Sequence, residues 1–151
     1  MAEQHFRTQA QGSWPDRQSK LALRIQQVVG RSCLIPISVE FLFDPAAPIT
    51  VSVTFRPSLA PPSTWHIARE LLYRGLFESS GTGDVRVWPS STSASGVVHL
   101  LLNRDTGSAL FQMGSGSLRR WLEDTYEWVG SDEELATVDW DAVVEQLLNG
   151  A

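Results

Sequence analysis

The sequence contains one cysteine, Cys33, so no disulfide can form within the chain. That fits a reducing, cytoplasmic setting. Cys33 reads as a turn residue between two strands, not as a catalytic thiol. No run of about 18 apolar residues occurs, so no membrane-spanning helix is expected and no direct membrane insertion. The first twenty residues lack the apolar stretch of a secretory signal. Histidine is scarce too: His5, His66 and His99 are the only three. None stands in an HxxxH spacing, and none neighbours Cys33. His66 and Glu70, four residues apart, read as a surface pair in preference to metal ligands. No GxSxG elbow is present. The expectation is therefore no enzyme, with no catalytic, metal or cofactor residues.

Positive charge is missing from one region. Residues 121–151 hold nine Asp and Glu and no Lys, Arg or His, a net of −9. Residues 1–120 hold all twelve Lys and Arg against eight acids, a net of +4. Such a split marks either a partner surface or a solvated acidic helix face.

What is present is enough apolar material, 42% of 151 residues, for one domain with a core. Residues 1–19 are polar and without periodicity, and are expected to be a flexible arm. Residues 20–151 form the domain. Leu21, Leu23 and Ile25 alternate with Ala22, Arg24 and Gln26; Ile37, Val39, Phe41 and Phe43 with Ser38, Glu40, Leu42 and Asp44; and Ile49, Val51, Val53 and Phe55 with Thr50, Ser52, Thr54 and Arg56. This period of two predicts an antiparallel meander with one buried face. Prolines in "RPSLAPPST" break the ladder. The spacing of Trp65, Ala68 and Leu72 then predicts a helix over 64–74, capped by Ser63 or Thr64, with Gly75 as its C′ glycine and Glu70 paired with Arg74. "GVVHLLLN" is apolar on both faces, as a central strand would be. "SALFQM" predicts another strand, and helices are expected over 117–129 and 140–148. The fold class is α+β, with about six strands and three helices.

"GTGDVRVWPS" offers two chemistries. A phosphate loop needs a strand before its glycines and a helix after them. Here a helix comes first and a strand follows, and no Gly-Lys-Ser or Gly-Lys-Thr occurs. The glycines are expected to reverse the chain at positive φ. In the strand, Val85 and Val87 face inward, while Asp84, Arg86 and Trp88 share the other face. Asp84 can pair with Arg86, and Arg86 can lie against the Trp88 ring. Arg beside Trp on a strand is also how single-stranded nucleic acid is gripped.

The same residues carry a resemblance. "VTFRPS…TWHIARELLYRGL…GTGDVRVWPS…GVVHLLL", followed by "GSALFQMGSGSLRRWLEDTYEWV", resembles the SsgA-like proteins of actinobacteria in order and spacing, from about residue 20 to 149. Gly83, Asp84, Val85, Arg86, Val87, Trp88 and Pro89 match the family signature, and Trp65, Ala68, Arg69, Leu71, Leu72, Gly75 and Leu76 the segment before it. The resemblance implies a whirly-type fold, a strongly bent antiparallel sheet with helices packed on it, assembled as a homotrimer. It implies a cytoplasmic, non-enzymatic protein of sporulation-specific division, brought to the septum. Its partner there would be the tubulin-like GTPase FtsZ or another SsgA-like protein. The arm of residues 1–19 departs from the short members of the family.

Two functions follow. The first is an adaptor whose partner surface combines Asp132, Glu133 and Glu134 with the aromatics Trp128 and Trp140. The second is a single-stranded nucleic-acid-binding protein using Arg86 and Trp88. The scattered basic residues and the −9 segment disfavour the second.

Overall fold

A computed structural model describes residues 17–91 and 96–131. Leu21, Leu23 and Ile25 lie in β1 (Ser19–Val29), which pairs over its full length with β2 (Cys33–Phe43). Ser19 is thus the first strand residue, one position before the expected boundary of the arm. β3 (Thr50–Arg56) extends the meander.

Residues 63–68 correct the helix expected over 64–74. They form β4 (Ser63–Ala68), antiparallel to β3. The stretch has two periods at once: Trp65, Ala68 and Leu72 fit a helix, while Trp65 and Ile67 alternate with Thr64 and His66 as in a strand. The open edge of β3 decides between them. Thr64 meets Thr54 hydroxyl to hydroxyl at 2.9 Å, His66 Nδ1 meets the Ser52 hydroxyl at 3.1 Å, and Ile67 is buried. Only α1 (Arg69–Arg74) is helical, with no side-chain cap at its start. His66 and Glu70 therefore do not share a helix face, and Glu70 pairs with Arg74 as expected.

Gly75 is a second correction. Its φ is −64°, not positive. The glycine is required for space, because a Cβ there would lie 2.3 Å from Val87 Cγ1. Gly81 and Gly83 do adopt positive φ, 89° and 81°, and turn the chain into β5 (Val85–Pro89).

β6 (Val97–Arg104) and β7 (Gly107–Gly114) form the last hairpin. β6 is an interior strand, as its two apolar faces predicted. α2 (Ser115–Trp128) follows and buries Leu118, Trp121, Leu122 and Thr125. The described residues thus form one seven-stranded antiparallel sheet, in the order β4-β3-β2-β1-β7-β6-β5, with two helices. One strand more than expected comes from β4. The helix expected over 140–148 lies outside the described residues.

The sheet is sharply curled. Phe55 of β3 and Phe111 of β7 would stand roughly 14 Å apart across three strand spacings of a flat sheet; their ring centroids are 4.6 Å apart. The inner face carries Phe41, Phe43, Val51 and Val53, all at 0% exposure. Each such side chain contributes roughly 1.5–3 kcal/mol on burial. α2 closes one end of the curl: Trp121 packs on Phe41 at 6.1 Å and Trp128 on Phe43 at 5.9 Å. The Trp121 indole N–H donates to the Ser19 hydroxyl at 2.9 Å, tying the start of β1 to the helix.

Candidate interaction surfaces

The signature strand, β5, lies at the edge of the sheet. Val87 is 2% exposed and packs inward, as the alternation predicts. Its backbone edge is covered: the Ser80 N–H donates to the Val87 carbonyl at 2.8 Å, and the Val87 N–H to the Ser80 carbonyl at 2.9 Å. Asn103 of β6 fixes the turn before the strand. Its backbone N–H donates to the Asp84 carbonyl at 2.8 Å, and its side-chain amide to the Gly83 carbonyl at 3.0 Å. These contacts explain the Gly-Asp pair as a turn held by β6.

On the outer, convex face the Arg86 guanidinium lies 5.7 Å from the Trp88 ring centre, the expected contact. The Asp84–Arg86 ion pair does not form; the ion pairs among the described residues are Arg56–Glu40, Arg74–Glu70 and Arg119–Glu123. Trp88 is half-buried and stacks on His99 of β6 at 5.5 Å and 21°. The His99 Nδ1 atom is buried there without a hydrogen-bond partner.

Of the five residues proposed as a partner surface, only Trp128 is described, and its ring packs on Phe43. Asp132, Glu133, Glu134 and Trp140 lie outside the described residues. Cys33 is exposed at the first position of β2, beside the turn.

Two arginines escape a reading by charge alone. Arg69 opens α1 and is 0% exposed. Its guanidinium lies 3.9 Å from the Tyr126 ring centre and 4.8 Å from that of Phe43, and donates to the Thr125 carbonyl at 3.0 Å. Arg104 closes β6 and lies 4.2 Å from the Trp65 ring centre on β4. The sequence does carry a signal for both. The parity that turns Trp65 and Ile67 inward also turns Arg69 inward, and that of Val98, Leu100 and Leu102 does the same for Arg104.

Two recesses flank the core. Between α1 and α2 lies a groove of about 750 Å³, lined by Tyr73, Phe77, Tyr126 and the acids Glu70, Glu78 and Glu123. There the Tyr73 hydroxyl donates to Glu123 at 2.9 Å and Arg119 donates to the same oxygen at 3.1 Å. Arg119, and then Tyr73, hold the Glu123 carboxyl below its ordinary range. The bond to Glu123 pushes the Tyr73 phenol up. At the opposite end of the curl a cavity of about 340 Å³ opens between Ile37, Phe55, Trp65, Leu102, Arg104 and Phe111. Among the described residues no three His, Cys, Asp or Glu side chains stand close enough to hold a metal ion. No described helix is long and apolar enough to cross a membrane.

With this geometry in place, comparison with known proteins is specific. Residues 37–134 match the family model described as Streptomyces sporulation and cell division protein, SsgA. The sporulation-specific cell division protein SsgB of Salinispora tropica is 40% identical over 77% of this chain and 82% of its own length. The SsgB of Streptomyces coelicolor is 33% identical over 83% of this chain and 92% of its own. A solved structure from a study of SsgB mutations and longitudinal cell division during Streptomyces coelicolor sporulation superposes with a TM-score of 0.77. It is 32% identical, covering 84% of this chain and all of that one. The SsgA-like protein of Thermobifida fusca has a TM-score of 0.76 at 27% identity, covering 89% of this chain and 98% of that one.

Proposed function

The chain belongs to the SsgA family of sporulation and cell division proteins, and we propose that it is a non-enzymatic adaptor of sporulation-specific division. It binds FtsZ, or another SsgA-like protein, and is brought to the division septum. It assembles as a homotrimer on a whirly-type sheet. The observation that carries this reading is the match to SsgB across 82% of that protein's length. The architecture supports it: Gly83 and Asp84 form a turn held by Asn103, and Ser80 covers the backbone edge of the strand at Val87.

The test is co-sedimentation of the purified protein with FtsZ polymerised in GTP at near-physiological salt. The protein is expected to pellet with filaments and to stay in solution alone. A protein that stays in the supernatant across a wide concentration range excludes direct binding to FtsZ.

A second reading, single-stranded nucleic acid on the convex face, rests on Arg86 beside Trp88. His99 already occupies one face of that ring, which leaves less stacking surface for a base. A steep fall in oligonucleotide binding with salt would support this reading.

A further inference from the structure

The open end of the curled sheet is built unlike the rest of the surface. Strand directions bring three connections together there: the β1–β2 turn, the β3–β4 loop and the β6–β7 turn. Leu59 of the β3–β4 loop is 98% exposed, and Val29, Leu34 and Ile35 at the β1–β2 turn are 41%, 44% and 44% exposed. The other two exposed large apolar side chains among the described residues, Ile49 and Phe77, lie elsewhere. Solvated loops normally carry polar residues, and Leu59 touches nothing that explains it.

Behind this rim lies the cavity of about 340 Å³, room for one or two apolar side chains. Its floor is the Phe55–Phe111 stack. Its wall is Trp65, with the Arg104 guanidinium laid over the ring. Arg104 makes no ion pair among the described residues, and neither does Arg31 in the neighbouring turn. Arg56, at the end of β3, is paired with Glu40. Asp105 is the one acid in the three connections. A recess that combines Phe55, Trp65, Leu102 and Phe111 with the polar side chains Gln27, Ser63, Thr106 and Ser108, and whose only charged lining residue is a cation stacked on Trp, fits a ligand with an apolar body and an adjacent carboxylate.

We propose that this mouth is a docking site for an acidic peptide segment of a partner protein, with one apolar side chain entering the cavity and a neighbouring carboxylate meeting Arg104. The proposal deepens the adaptor reading and rests on it. Nucleic acid fits less well, because a phosphate chain needs a run of cations and has no use for Leu59 and Ile35. A lipid surface fits less well, because a bilayer does not fill a recess behind the rim.

The experiment pans phage-displayed random dodecapeptides on the purified full chain and on Arg104→Glu. The chain is expected to select sequences with Leu, Phe or Trp beside Asp or Glu. A labelled peptide of that consensus, followed by fluorescence anisotropy, is expected to bind about tenfold or more weakly to Arg104→Glu and to Leu59→Ser. Thermal melts of both variants check that the fold is kept. Absence of a consensus, a consensus without acids, or equal binding by all three proteins overturns the proposal. Two further results also overturn it. In one, Leu59→Ser changes the mass measured by light scattering, and the mouth is then an interface between copies. In the other, phosphatidylglycerol vesicles retain the wild type but not Leu59→Ser, and the rim is then a lipid contact. The FtsZ assay separates the two levels. Equal pelleting of wild type and both variants leaves the adaptor reading standing and removes the mouth as its site. No pelleting with intact peptide binding excludes FtsZ as the partner and keeps the mouth as a site for another protein.

Discussion

At one end of the curl Phe41 and Phe43 lie under Trp121 and Trp128 of α2, with Arg69 sealed between Phe43 and Tyr126. At the other, Phe55 and Phe111 stack on each other and open onto a cavity. The same strands feed both ends, and the same alternation supplies both sets of aromatics. The difference is the helix: α2 covers the first end and leaves the second open. Both ends use an arginine over an aromatic ring, but Arg69 is fully buried while Arg104 stays exposed. One end is built for stability, and the other keeps its apolar side chains available.

If that division is right, substitutions at the closed end cost stability in proportion to what they leave unfilled. The largest effect is expected for Arg69→Ala. It opens a cavity between two rings and removes one of the two donors to the Thr125 carbonyl, leaving the Val129 N–H as the other. The expected loss is about 3 kcal/mol, seen as a fall in Tm of roughly 10 °C. A change under about 2 °C would show that the closed end does not depend on Arg69. Next is Gly75→Ala, whose new methyl collides with Val87. Overpacking of this kind costs about 1–3 kcal/mol. Val87→Ala added to Gly75→Ala is expected to recover part of the loss. A double variant that melts below both single ones would refute the steric account.

The strands of this division were legible in the sequence and the helices less so. Alternation located β1, β2, β3 and β5 because each has one inward row of Val, Leu, Ile or Phe, and two apolar faces located β6. It failed at residues 63–68, where Trp65, Ile67, Ala68 and Leu72 satisfy both periods and the free edge of β3 settles the matter. The Gly-Thr-Gly turn was legible from element order, and Gly75 was assigned to the right place for the wrong reason. Leu59 gave no signal, because a leucine among prolines is unremarkable until its exposure is known. The curl was equally silent: no local pattern states that β3 and β7 meet.

A smaller effect is expected in the helix groove. Glu123 accepts from Arg119 and from Tyr73, and its carboxyl titrates below its ordinary range. A depressed carboxylate stabilises the folded chain above its unfolded pKa, and that contribution is lost as pH falls through the folded value. Glu123 is exposed enough for solvent and salt to weaken the effect. Thermal melts are therefore expected to show a slight fall in Tm for Glu123→Gln at neutral pH, and none once the wild-type carboxyl is protonated. The raised Tyr73 phenol acts at the other extreme. Its bond favours the neutral phenol, so its contribution is present below the ordinary tyrosine range and fades as pH climbs through the raised value. A Glu123→Gln difference that is the same at acid and neutral pH would mean that Arg119 and Tyr73 do not act through the carboxylate.

The smallest effect on stability is expected where the side chain is most apolar and least covered. Leu59 is 98% exposed, so replacing it with serine removes almost no buried surface and leaves no cavity. The loop prolines that set its backbone, Pro57, Pro61 and Pro62, remain. Stability is expected to change by no more than about 0.5 kcal/mol, and solubility to rise as the apolar rim shrinks. Chemical denaturation checks this directly: the midpoint stays fixed while the aggregation threshold moves up. A loss of more than about 1 kcal/mol would mean that Leu59 is covered in solution, by another copy or by the chain itself. The open end would then be part of the fold's own packing, and the contrast between the two ends would disappear.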